Sequence, residues 1–92
     1  MAGEIRYDRR ALADLRHIHD TIAERNPAAA RRVISAIRAS IGYLADNPLM
    51  GVRERYGHGR LLVEPRYRYL ISYSVAGETV QIRYVLHPSR DR

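Results

Sequence analysis

Residues Arg60 to Asp91 hold three consecutive alternating runs, and nothing else in the chain constrains the fold as strongly. Residues 60–64 form a short apolar run that Pro65 ends or bulges. In residues 67–75, Tyr67, Tyr69, Ile71, Tyr73 and Val75 share one face, while Arg68, Leu70, Ser72 and Ser74 share the other. In residues 79–87, Val80, Ile82, Tyr84 and Leu86 share one face, and Thr79, Gln81, Arg83, Val85 and His87 the other. A period of two marks a strand with one buried side. Ala76-Gly77 turns the chain between the last two runs, a hairpin signal. A sheet of this kind needs cover on its apolar face.

The preceding residues supply that cover. Leu12, Leu15, Ile18 and Ile22 fall on one face of a helix, with Asp14, Arg16, His17, Asp20 and Glu24 opposite and Asp8 placed to cap it. Asn26-Pro27 ends this helix and starts another, since the residue before proline avoids the helical region and Asn-Pro suits a helix start. The second helix buries Ala30, Val33, Ile34, Ile37, Ile41 and Leu44 and stops at Asn47-Pro48. Two helices joined this tightly form an antiparallel hairpin. Residues 4–7 read as a short first strand. Residues 48–59 read as a loop, with Leu49, Met50 and Val52 expected to tuck under the sheet edge. The order is β-α-α-β-β-β. The expected fold is a single α+β domain over residues 1–92, its helix hairpin packed on one face of a small, mainly antiparallel sheet.

Size and composition exclude several classes of function. A chain of 92 residues buries only about 60–65 % of the surface exposed by its unfolded form, so a surface or shallow groove is the expected working site. There is no cysteine, which removes disulfides, thiolate metal sites and cysteine nucleophiles. No apolar run has the length of a spanning helix, and residues 1–8 lack the apolar core of a signal peptide. A cytoplasmic location is expected, with no membrane partner. The formal net charge of +6 favours polyanions or an acidic partner. Every basic residue is Arg, so lysine chemistry is absent and bidentate guanidinium contacts remain.

The candidate working surface is the sheet face away from the helices. Arg60, Arg83 and His87 are expected there, with Arg90 nearby on the tail. Arginines can hold phosphates bidentately, and His87 could donate a proton to a leaving oxygen with Glu64 as base. The same residues also suit a solvated basic face for an acidic protein segment, and Glu64 equally suits a turn beside Pro65 and Arg66. His17 and His19 lie two apart and share no helix face, so no metal site is expected. Gly57-His58-Gly59 matches no phosphate-cradling pattern. Tyr67, Tyr69, Tyr73 and Tyr84 read as core residues with hydroxyls at the rim.

The chain resembles toxins of the RelE/ParE superfamily of bacterial type II toxin–antitoxin systems. The resemblance runs from about Ala11 onward. It is carried by Ala13-Asp14-Leu15-Arg16-His17-Ile18, Ile22 to Pro27, Asn47 to Gly51, Arg60 to Val63, Tyr69 to Tyr73 and Val85 to Asp91. It implies the same βααβββ fold. RelE-like members resemble one another in a sheet face bearing Lys or Glu, Arg and a C-terminal Tyr or His, and they cut mRNA on the ribosome. ParE-like members lack that set and poison DNA gyrase. This chain has no lysine, has Leu70 where the nucleases usually carry Arg, and has no tyrosine after His87. The resemblance is therefore closer to ParE. It implies an inhibitory binding protein without cofactor, with Arg60, Arg83, His87 and Arg90 as target contacts. The alternative it implies is a ribosome-dependent endonuclease using Glu64, Arg83 and His87. Either activity implies a cognate antitoxin whose C-terminal segment wraps an apolar and basic groove of the toxin.

Overall fold

The computed structural model describes residues 3–90, with Arg90 placed by its backbone. The elements run β1 (Glu4–Tyr7), α1 (Arg9–Ala23), α2 (Pro27–Tyr43), β2 (Val52–Arg53), β3 (Arg60–Val63), β4 (Leu70–Ala76) and β5 (Thr79–Leu86), then a 3₁₀ turn at Pro88–Arg90. The strands form one sheet in the order β1-β5-β4-β3-β2. Only the β1–β5 pair is parallel. The α+β architecture is the expected one, with a two-residue strand added inside the loop. No helix among the described residues is long and apolar enough to cross a membrane.

The two helices start differently. Asn26 accepts a hydrogen bond from the Ala29 amide at 3.0 Å, and Pro27 occupies the first helical turn of α2, as the sequence leads one to expect. Asp8 does not cap α1 with its side chain. Its carboxylate instead accepts from the Gln81 amide, tying the start of α1 to the neighbouring strand. The buried stripe of α1 is Ala11, Leu15 and Ile18 with Ile22 at its margin, and Leu12 is 48 % exposed. The small Ala11 lets the helix approach the sheet and rolls Leu12 to the rim.

The core lies between the hairpin and one face of the sheet. Ile37, Ile41, Leu44, Ile71, Tyr73 and Ile82 are essentially inaccessible. Tyr73 also bridges two backbone groups. Its hydroxyl donates to the Pro48 carbonyl and accepts from the Gly51 amide, both at 2.8 Å. A Cβ on Gly51 would lie 2.7 Å from that hydroxyl, so glycine lets the loop close on the ring. Leu49, Met50 and Val52 are exposed rather than tucked under the sheet, because Tyr73 already fills that space.

A bulge decides the faces of β5. Tyr73 pairs with Ile82 and Ser72 with Tyr84, which leaves Arg83 as an extra residue. Val80 and Ile82 face the helices before the bulge, and Val85 does so after it. The expected inward set of Tyr84 and Leu86 is thereby reversed. Tyr84 turns away from the core, with the guanidinium carbons of Arg10 and Arg83 at 4.5 and 5.9 Å from its ring centroid.

Candidate functional site

The strand β1 ends at Tyr7, opposite Ile82, so β5 runs on without a strand neighbour on that side. The helix α1 takes the place of one. The Val85 amide donates to the Asp14 carboxylate at 3.0 Å, and Arg10 lies 3.6 Å from the same oxygen. Asp14 belongs to the face expected in solvent, yet it satisfies a strand edge that would otherwise lack an acceptor.

Beyond the bulge, His87 comes to the helix side. Its ring stands edge-on to Tyr69, centroids 5.3 Å apart and planes at 87°. A groove of about 310 Å³ opens here between α1 and the end of β5, walled by His17, Ile18, Ile22, Tyr69, Val85 and His87. The Ser89 amide donates to Nδ1 of His87 at 3.0 Å, and the Ser89 hydroxyl lies 2.6 Å from the same nitrogen. An amide can donate only to an unprotonated Nδ1, so the imidazole presents Nε2–H as a donor. Burial pushes the Tyr69 hydroxyl above its ordinary 10.0, and the negative charge of Glu64 pushes in the same direction. The groove therefore combines apolar walls with two neutral donors, which suits recognition of a protein or peptide surface. No cluster of metal-ligating side chains occurs among the described residues.

The expected basic face does not assemble. Arg60 pairs with Tyr73 and so points to the helix-covered side, where it donates to the Gly51 carbonyl at 2.8 Å and the Leu49 carbonyl at 3.3 Å. Arg83 lies on the other side and makes an ion pair with Glu54 at 3.0 Å. His87 returns to the helix side through the bulge. The side chain of Arg90, and all of Asp91, lie outside the described residues. Glu64 is only 1 % exposed, and its two oxygens accept from the Arg66 and Tyr67 amides at 2.7 Å each. It closes the β3–β4 turn, and its burial keeps the carboxylate from a substrate at the surface. Glu64 and His87 both neighbour Tyr69, but the carboxylate is bound in a buried turn and Arg83 lies on the opposite sheet face. Asp14, Glu54 and Tyr69 shape these surfaces, although the sequence pattern does not single them out as site residues. The spacing of Arg10 and Asp14 on one helix was a signal for the first of them.

A family model described as ParE toxin of type II toxin–antitoxin system, parDE, matches residues 5–92. The chain belongs to the ParE toxin family. Toxin RelE2 of Caulobacter vibrioides is 36% identical over 81 residues, 88% of this chain and 90% of the relative. A chain from a structure described as the chromosomal ParDE TA system from P. aeruginosa superposes with a TM-score of 0.82, covering 94% of this chain and 96% of that one. At 22% identity that likeness speaks for the fold. The protein is accordingly a type II toxin of the RelE/ParE superfamily, on the ParE side, and its family implies a cognate antitoxin.

Proposed function

We propose that this ParE-family toxin inhibits DNA gyrase in the cytoplasm by binding it and holding its cleaved-DNA state, and that it is not a nuclease. The observation that carries the reading is the dispersal of Glu64, Arg83 and His87. Phosphoester cleavage needs acid, base and charge-stabilising groups around one reacting phosphate. Here the carboxylate is tied into a buried turn, the guanidinium pairs with Glu54, and the imidazole lies beside Tyr69 on the opposite sheet face from that guanidinium. The groove at His87 and the tail that follows form the contact region for the target. Arg60 lies apart from that groove, with Nη1 donating to the Leu49 and Gly51 carbonyls.

The antitoxin's acidic segment folds onto the outer side of the helix hairpin. A groove of about 400 Å³ there is lined by Leu12, Leu15 and Ile34, with Arg16 and Arg38 beside them. Apolar anchors flanked by arginines suit an amphipathic acidic helix. The deciding experiment is a supercoiling and DNA-cleavage assay with purified gyrase, titrated with toxin and reversed with antitoxin. Trapped cleavage complex is expected. Inactive gyrase response at a large excess of folded toxin, together with ribosome-dependent mRNA cuts, would overturn the reading.

A further inference from the structure

The outward face of α2 carries Arg31 and Arg32, and the β3–β4 turn brings Arg66 beside them. The three exposed side chains surround a shallow groove of about 550 Å³ that is floored by Ala28 and Ala36 and edged by Ser35. The two alanines leave the helix surface low enough for the turn to approach. The buried Glu64 carboxylate fixes the turn by holding the Arg66 amide, and the Arg66 guanidinium carbon sits 5.3 Å from the Tyr67 ring centroid. Arg66 is therefore presented on a rigid support. Three arginines elsewhere in the fold are paired locally: Arg6 with Glu4, Arg10 with Asp14 and Arg83 with Glu54. Among the described residues, none of the three in this groove takes part in an ion pair. The groove at Leu12 contains Asp20 and the one at His87 contains Asp14, but this one contains no carboxylate.

We infer that this arginine saddle grips the phosphodiester backbone of duplex DNA. An acidic peptide that orders on binding needs apolar anchors to offset its lost entropy, and the saddle offers only alanine methyls. A phosphate backbone needs charge and forked donors, which three guanidiniums and a hydroxyl supply. The choice of DNA over RNA rests on the gyrase reading, in which the toxin works beside cleaved DNA.

The test is a fluorescence-anisotropy titration of a labelled DNA duplex with the toxin alone, across a range of salt concentrations. Each neutralised phosphate contributes about 0.9 to the slope of log K against log salt. R31Q/R32Q/R66Q is expected to lower the slope by about 2–3, whereas R9Q/R25Q/R53Q, with the same loss of charge elsewhere, lowers it by less than about 1. Equal losses in the two triples would mean diffuse attraction and overturn the saddle. So would full retention of the slope with loss of antitoxin binding, or binding to an RNA duplex with none to DNA. Circular dichroism checks folding. If the triple variant misfolds, R31Q/R32Q replaces it, with an expected slope loss of about 1.8. Because gyrase is absent, failure here leaves the gyrase reading standing, and failure of the gyrase assay leaves this result standing.

Discussion

Replacing Glu64 by Gln separates a turn-forming carboxylate from a catalytic one. Its two oxygens each accept a backbone amide at 2.7 Å in a site that is 1 % exposed. Gln keeps one acceptor and turns an NH2 group toward the other amide. The lost charge-assisted bond is worth about 1.5–3 kcal/mol, and the surviving bond weakens by about 1 kcal/mol as its acceptor becomes neutral. Removing a buried charge returns part of this, leaving a net loss of about 2–3 kcal/mol. At this chain length each kcal/mol moves the melting temperature by about 4–8 °C, so E64Q should melt about 10–20 °C lower. Urea unfolding provides the second reading, with a lower midpoint at an unchanged slope. A loss below about 0.5 kcal/mol, or abolished toxicity at wild-type stability, would refute the argument and return Glu64 to a chemical role.

Three further outcomes are expected. The raised Tyr69 hydroxyl makes the folded state hold its proton longer than the unfolded chain does, so its contribution is complete below the ordinary 10.0 and is lost as pH climbs above it. Y69F should flatten stability on that alkaline side, and an unchanged profile in urea unfolding between neutral and strongly alkaline pH would contradict this. In Y73F the Gly51 amide and the Pro48 carbonyl lose their shared partner, at a cost of about 1–3 kcal/mol, and hydrogen exchange at Gly51 should accelerate. Unaltered exchange there would show that the bridge does not hold the loop. A Cβ at Gly59 would meet the ends of Glu54 and Arg83, both flexible, so G59A should keep the fold and lose under about 1 kcal/mol by displacing the ion pair. A double-mutant cycle with E54Q should then be non-additive, and additivity would count against the pair.

The local elements were legible in the sequence because each depends on short-range physics. Asn26-Pro27 set the start of α2, and Ile37, Ile41 and Leu44 recur at helical spacing and are buried. Ala76-Gly77 marked the β4–β5 hairpin, with Gly77 at a φ of 60° where side chains are strained. The basic balance was likewise fixed by composition alone.

The candidate site was decided at another level. A period-two pattern reports alternation but not register, and a one-residue insertion reverses every face that follows it. The extra Arg83 did this to Tyr84, Val85, Leu86 and His87, which moved the imidazole from the expected open face to the groove beside α1. Pairing of Arg60 with Tyr73 moved a second expected contact to the covered side. Glu64 could have served a turn or a proton transfer, and only the close approach of the Arg66 and Tyr67 amides chose the turn. Side-chain type and spacing thus determined the elements and their charge, while strand register and the bulge determined which residues meet.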